Sequence, residues 1–303
     1  MKTVVAVVVA YNRADLLKEA LDGLAAQSRP VDEVLVVDND STDDTYIVAT
    51  SHPIHAHVVR MTRNIGGAGG FAAGLDLAVR RYGADLAWLM DDDTIPTATA
   101  LEELLNARDA YGEDVDIAGS KAVWTDGAEH PMNTPRARWR ASATAQGKAA
   151  RASAVPVRTS SFVSMLVSAE AVWRVGLPKA DFFIWNDDFE YSARVLRDGV
   201  GIYVPASVVV HKTKKFGSSD TDPGERFYYE VRNKIWTLTS GDFGCLDWFA
   251  YSYGTARRWV RTFRKSENRR LLCRVGAKGL VHGLFQSPRP TGDVIEEALP
   301  WAM

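Results

Sequence analysis

Three features of the chain predict an α/β fold built on an open, doubly wound, mixed but mainly parallel sheet. Apolar runs of strand length alternate with stretches of helical periodicity over residues 3–90. The first run, residues 3–10, is β-branched and almost continuously apolar, as in a parallel strand covered on both faces. Each polar cluster of this stretch follows a strand directly, where an open α/β sheet binds its ligands.

The elements follow in order. Residues 12–26 put Leu16, Leu17, Leu21 and Leu24 on one side of a helix, and Pro30 ends it. A second strand at 34–37 is closed by the polar run 38–44, residues 45–50 read as a short helix, and 57–61 as a third strand. A Gly-rich turn at 63–70 feeds an Ala-rich helix that reaches Tyr82, and a fourth strand at 85–90 runs straight into Asp91, Asp92 and Asp93. The clusters at 11–13, 38–44, 63–70 and 91–93 therefore converge on the carboxyl edge of the sheet and mark a site there. Residues 126–156, rich in Ala, Arg, Pro and Ser, read as loops. A strand at 162–168, a helix from Asn186-Asp187-Asp188 to Arg197 closed by Asp198-Gly199, and a strand at 201–210 ending on His211 follow. Beyond residue 225 aromatics crowd together, and from Arg257 to Arg289 ten Lys or Arg stand against Glu267 alone, so the tail reads as amphipathic basic helices.

The 303 residues, 46% hydrophobic and 24% charged, suffice for a buried core without staples. Cys245 and Cys273 form no CxxC and join no Cys/His cluster, which excludes a disulfide scaffold or structural zinc site and fits a reducing compartment. The apolar run at 4–10 falls far short of the ~20 residues of a membrane span. Asn12 and Arg13 follow it with no small-residue cleavage site, so it reads as a strand and not as a signal sequence. A net charge of −2 argues against a general nucleic-acid binder.

Asp91-Asp92-Asp93 admits two readings. Alternate carboxylates at a strand tip can share one Mg²⁺ or Mn²⁺, hard cations that keep positions for phosphate oxygens and neutralise a departing sugar diphosphate. The acids could equally cap the helix that follows Pro96. Three carboxylates ending a buried strand repel one another unless a positive charge stands there, which favours the first reading. Asn186-Asp187-Asp188-Phe189-Glu190 divides the same way. It complements a helix dipole, or it supplies a general base for an alcohol and a neighbour that holds the alcohol. Phe182, Phe183, Trp185 and Tyr191 around it suit a sugar platform or a core. His211 is a hydrogen-bonded structural residue or a further metal ligand from a second strand end. Lys212, Lys214 and Lys215 beside it are placed to face diphosphate, and residues 217–219 read as a mobile loop. The glycines at 66–70 are no dinucleotide fingerprint, because that belongs in the first βα turn, which reads Tyr11-Asn12-Arg13. They permit close backbone approach to a ligand, with Arg63 as charge and Asn64 as directional hydrogen bonder.

Taken in order, AYNR, VVDNDSTDDT, RNIGGAGGFAAG, WLMDDDTIP, WNDDFEYSARV, VVVHKT and FYYEVRN resemble the family 2 inverting glycosyltransferases, which have a GT-A fold, over residues 3–240. RNIGGAGGF and WNDDFEY are most similar to bacterial galactofuranosyltransferases. Length and basic tail resemble the shorter, initiating type of mycobacterial-type cell walls. Rhamnosyltransferases of the family are close neighbours. The resemblance implies that Tyr11, Arg13 and Asp38 line the nucleotide pocket and that Arg63, Asn64, Gly67 and Asp92 lie along the donor. It implies Asp91, Asp93 and His211 as ligands of Mn²⁺ or Mg²⁺, Asp188 as the base, and Trp185, Asp187 and Glu190 at the acceptor. The galactofuranosyl pattern has Trp directly before the acid pair, and here Asn186 intervenes.

The same resemblance gives a GT-A catalytic domain at 1–225, with a nucleotide-sugar half at 1–120 and an acceptor half at 121–225; the one-sided charge and aromatics of the helical region at 226–303 read as membrane-surface attachment or as a helical subdomain packed on the catalytic core. The resemblance implies a UDP-sugar donor, UDP-galactofuranose foremost, and a polyprenyl-diphosphate-linked glycan acceptor in cell-wall or polysaccharide biosynthesis. A cytoplasmic, peripheral place on the inner membrane face follows, with no nucleic-acid partner and with room for a homo-oligomer. Two rival readings are a sugar-1-phosphate nucleotidyltransferase, against which stands the lack of a Gly-rich, basic loop after the first strand, and a non-catalytic nucleotide-sugar sensor, against which stands the joint presence of metal acids and a base.

Overall fold

The computed structural model describes residues 2–112, 115–214, 216 and 222–299. Its strands are β1 (Val4–Ala10), β2 (Glu33–Asp38), β3 (His57–Arg60), β4 (Leu86–Asp91), β5 (Thr94–Pro96), β6 (Ile117–Val123), β7 (Arg136–Ala137), β8 (Val155–Thr159), β9 (Met165–Ser168) and β10 (Gly201–His211). Its helices are α1 (Ala14–Ala25), α2 (Thr45–Ser51), α3 (Gly66–Arg80), α4 (Ala100–Tyr111), α5 (Ala143–Arg151), α6 (Ala169–Val175), α7 (Asp187–Asp198), α8 (Phe227–Leu238), α9 (Cys245–Lys265), α10 (Arg269–Phe285) and α11 (Thr291–Glu296).

One mixed sheet runs β3-β2-β1-β4-β9-β6-β10-β8-β7, with β5 against β10. β1 is parallel to both β2 and β4, and β2 to β3. Strand order thus reverses between β1 and β4, and a crevice opens beyond their carboxyl ends. β9 enters antiparallel between β4 and β6 and joins this half to a second one in which β6 and β10 are parallel. Every residue of β1 is buried, as its continuous apolar run requires. Leu17, Leu21 and Leu24 of α1 cover one face of the sheet together with Trp88, whose indole N–H donates to Ser164 Oγ at 2.9 Å.

Three expectations are corrected. The Gly-rich segment is not a turn ahead of a helix; the helix begins at Gly66 and most of its glycines serve packing. A Cβ on Gly74 would stand 2.4 Å from Val7 Cγ1 and one on Gly70 2.5 Å from Val9 Cγ1, so these glycines let α3 lie close on β1. Residues 126–156 are not all loop: they hold β7 and α5, the latter capped by Ser142, which accepts from Ala145 N–H. The stretch 162–168 opens as a 3₁₀ turn at Phe162–Ser164 before it becomes β9.

The boundary expected at 225/226 falls within continuous packing. α8 lies against residues 181–186, where Asn233 and Arg232 bond backbone carbonyls. α11 returns to the main core, burying Val294, Ile295 and Ala298 beside Leu75 and Val79. The Thr62 N–H donates to Ala298 O at 2.8 Å.

Candidate active site

The loops at the carboxyl edge of the sheet build the site. After β1, Tyr11 N–H donates to Asp92 Oδ2 at 2.9 Å. The Arg13 guanidinium stands 3.2 Å from Asp92 Oδ1 and also pairs with Asp93. β2 ends on Asp38, which is fully buried. Its Oδ1 accepts from Ser41 N–H at 3.1 Å. Its Oδ2 forms an ion pair with Arg60 Nε at 3.3 Å but accepts no hydrogen bond. The neighbouring Asn39 takes Ile65 N–H at 2.9 Å and gives to Gly66 O at 2.8 Å, which fixes the start of α3 to the end of β2.

Asp91 ends β4, Asp93 follows it, and His211 ends β10. One ligand atom from each lies within 4.8 Å of the others. His211 Nδ1 stands 2.9 Å from Asn133 Oδ1, while Asn133 Nδ2 donates to Ser161 Oγ at 3.2 Å. The amide orientation makes Nδ1 the protonated nitrogen, so in the neutral ring the Nε2 lone pair faces Asp93 Oδ1 at 3.2 Å. Asp93 Oδ1 is buried and accepts no hydrogen bond. Two acceptors aimed at each other, with a third carboxylate beside them, form a donor set that suits a hard divalent cation.

Electrostatics follow the same geometry. Burial, then repulsion from Asp93 and Asp92, raises the Asp91 carboxyl well above the carboxylate range. Burial likewise pushes Asp92 up to about 7, against the pull of Arg13 and of Tyr11 N–H. For Asp93 burial is outweighed by His211 and Arg13, which hold it low when the imidazole is charged and Nε2–H donates to it. Burial works against the Arg13 charge too, but Asp93, Asp92 and Asp91 prevail and raise it.

A second acidic pair opens α7. Burial and the neighbouring Asp188 push Asp187 up to about 8. Burial also raises Asp188, opposed by hydrogen bonds from the Ser161 hydroxyl and Phe189 N–H and by the Lys234 charge. Ser161 also accepts from Asn133 Nδ2, whose Oδ1 meets His211 Nδ1, and the Asp187 charge acts on Asp91.

A family model described as glycosyl transferase family 2 matches residues 5–173. The chain belongs to that family. The galactofuranosyltransferase GlfT1 of Mycobacterium tuberculosis is 30% identical to the transferase over 254 residues, which cover 78% of this chain and 83% of that protein. Among solved structures, residues 1–349 of S. aureus TarS superpose with a TM-score of 0.62 at 14% identity, covering 94% of this chain and 81% of that one. In the longer TarS structure the transferase spans 44% of the chain. The mannosyltransferase PcManGT of Pyrobaculum calidifontis, solved with GDP-Man and Mn²⁺, gives 0.55 at 20% identity over 97% of this chain and 78% of its own. These likenesses carry the GT-A-type fold.

Against this frame the expected residues sort themselves. Tyr11 and Arg13 bond to Asp92 and Asp93, Asp91 and Asp93 cluster with His211, and the Asp187–Asp188 pair lies near enough for the Asp187 charge to act on Asp91, while Asp38 is held by Ser41 and Arg60. Trp185, half-buried, enters α7 just ahead of the acid pair. Asn64 Oδ1 accepts from Gly66 N–H at 2.7 Å and so shapes the α3 turn. A Cβ on Gly67 would meet no atom within 4 Å, which leaves its backbone open to a ligand. Two expectations are corrected. Arg63, expected at the donor, is half-exposed and held by Glu297 near α11. Glu190, expected at the acceptor, is 1% exposed and locked by Lys179 at 2.9 Å and Arg194 at 3.0 Å, so it braces α7. Lys212 turns to Glu19 of α1. Lys215 and residues 217–219 lie outside the described residues. Sequence reasoning missed Asn133, Ser161 and Lys234. The first two carry no charge and sit in segments without periodicity. Lys234 shows only as the i+4 partner of Glu230 in FYYEVRNK.

Proposed function

We propose that the transferase moves galactofuranose from UDP-galactofuranose, with inversion, onto a hydroxyl of a polyprenyl-diphosphate-linked glycan at the inner membrane face. The observation that carries this reading is the cluster of Asp91, Asp93 and His211 with the buried Asp187–Asp188 pair near enough for the Asp187 charge to act on Asp91. The GlfT1 relative favours this donor among the hexoses of the family. Asp38 and Tyr11 receive the uridine, and the open Gly67 backbone at the start of α3 meets the diphosphate. Asp91, Asp93 and His211 hold Mn²⁺ or Mg²⁺. When bound, that cation neutralises charge on the departing diphosphate. Asp188 accepts the proton of the acceptor hydroxyl as that oxygen attacks the anomeric carbon opposite UDP, and Asp187 holds the acceptor beside it. Trp185 offers a ring face to the acceptor sugar. The Arg13 charge at Asp92 and Asp93 keeps the acids from splaying apart before donor arrives.

For the membrane, the support is α9, on which no residue is buried and which exposes Leu246, Trp248, Phe249 and Tyr253 beside its arginines. No described helix is long and apolar enough to cross a bilayer.

The test is nucleotide release from UDP-galactofuranose, UDP-galactose, UDP-glucose and dTDP-rhamnose with a synthetic polyprenyl-diphosphate glycan. UDP-galactofuranose is expected to lead; preference for dTDP-rhamnose moves the reading to a rhamnosyltransferase. Asp188→Asn should abolish transfer while UDP binding persists, and turnover retained in that variant removes Asp188 as base.

A further inference from the structure

The motif FYYEVRN has no role in the donor, cation and base assignments above, yet its helix, α8, meets a segment in which three of four consecutive residues lie at positive φ. Phe183 (φ 64°, ψ −61°), Trp185 (φ 67°) and Asn186 (φ 65°) all lie at positive φ. Bulky aromatic residues so placed are strained and persist only where their surroundings over-determine them. Around Phe183 the chain closes a three-residue turn, Ile184 N–H donating to Phe182 O at 2.7 Å. This segment leads directly into Asp187 and Asp188.

What over-determines it is a primary amide. Asn233 is fully buried, and its Nδ2 lies 2.8 Å from Phe182 O, 3.0 Å from Ile184 O and 2.9 Å from Trp185 O. Arg232 Nε donates to Asn233 Oδ1 at 3.0 Å, which fixes the amide with its nitrogen toward the carbonyls. From the opposite side Phe183 O accepts from Ala68 N–H at 3.2 Å, and a Cβ on Gly66 would stand 2.0 Å from that oxygen. Asn186, the residue inserted before the acid pair, donates from Nδ2 to Glu230 Oε2 at 3.0 Å.

We infer that Asn233 is a positioning residue for transfer. Its amide gathers three carbonyls of residues 182–185 into the left-handed path that sets where Trp185 and Asp188 stand, while Asp38 and the Asp91, Asp93 and His211 cluster are held by other partners. The role rests on Asp188 as base. Asn233→Ala frees the carbonyls and lets the turn relax, and displacement of a reacting group by about 1 Å costs on the order of 10²-fold in rate.

The experiment measures kcat, acceptor KM, UDP affinity with Mn²⁺ and thermal stability for Asn233→Ala, with the donor that the panel above selects. Expected is a fall in kcat of about 10²-fold with UDP affinity within about twofold of the parent. Phe183→Gly added to Asn233→Ala should restore at least tenfold of the lost kcat, because glycine takes positive φ without strain. A smaller fall than tenfold in Asn233→Ala, equal loss of UDP affinity, or no rescue by Phe183→Gly overturns the inference. Asn233→Ser keeps one donor and carries the same test if the alanine variant does not fold: its kcat must drop at least tenfold at unchanged UDP affinity, and any smaller drop overturns the role. Asp188→Asn in the same assay keeps the readings apart. Turnover there sinks the base, whereas an inactive Asp188→Asn beside a parent-like Asn233→Ala sinks the positioning role alone.

Discussion

Asn133 carries no charge, yet it decides which nitrogen of His211 is free. By accepting from Nδ1 it leaves Nε2 turned to Asp93, and its own amide donates to Ser161. Outer partners of this kind typically contribute 10–100-fold to metal affinity. Asn133→Ala should therefore weaken Mn²⁺ binding by about that factor in calorimetry; unchanged affinity would show that His211 orients itself. Lys234 is a second residue whose effect lies in its neighbour. Burial lowers it to about 8, so it retains charge at neutral pH, and that charge opposes the burial that raises Asp188. Lys234→Met removes the opposing charge, and Asp188 then titrates at higher pH. Because the base acts deprotonated, the acid limb of the kcat/KM profile should move to more alkaline pH. A limb that stays or moves to acid pH separates Lys234 from Asp188. The charged members of the site were legible in the sequence because carboxylates at strand tips repel without a counter-charge. The neutral ones were not, since a lone Asn or Ser has the same composition in any loop.

At the scale of elements, α3 shows how a glycine run can be read correctly as close approach and wrongly as to partner. Gly70 and Gly74 approach β1, and Gly67 alone of these three has open space beside it. Side chains at the first two positions must displace buried valines, an overpacking that costs typically 1–3 kcal/mol. Gly74→Ala should lower the unfolding temperature accordingly. Gly67→Ala should leave stability equal or up to about 1 kcal/mol higher, as for alanine over glycine inside a helix, and should weaken UDP binding if its backbone meets diphosphate. Denaturant unfolding of both variants beside UDP titration checks the pair; equal destabilisation would mean that the two glycines share one role. The parallel half was legible because β-branched runs and helical leucines have distinct periods. The second half was less so. α5 is short and Ala- and Arg-rich, and the 3₁₀ turn at 162–164 shares the apolar character of the strand it precedes.

For the whole molecule, the basic aromatic tail is two things that composition could not separate. α8 and α11 belong to the catalytic body, the one through Asn233 and the other through Val294, Ile295 and Ala298 in the main core. α9 lies along its edge with no buried residue, touching the body where Arg258 and Trp259 bond Glu230, where Asp247 accepts from the Trp139 indole and where Tyr251 meets Phe189 edge-on. Deleting the tail would thus strip core residues whose burial is worth about 1.5–3 kcal/mol per large side chain and could not report on membranes. Substitution on α9 can. Arg257, Arg261 and Arg264 are exposed there beside Tyr253 and Val260, with no role in the core. A basic side chain near an anionic surface contributes about 1 kcal/mol, so replacing all three by Gln should weaken binding to phosphatidylglycerol vesicles by more than about a hundredfold. Unfolding temperature and turnover on a short, water-soluble acceptor should stay at the parent's level, while turnover on a polyprenyl acceptor embedded in vesicles should fall. Co-sedimentation of the triple variant at the parent's level would take the membrane role away from α9. Parent binding that ignores 0.5 M salt would do the same, since attraction between exposed charges is screened within a few ångströms there.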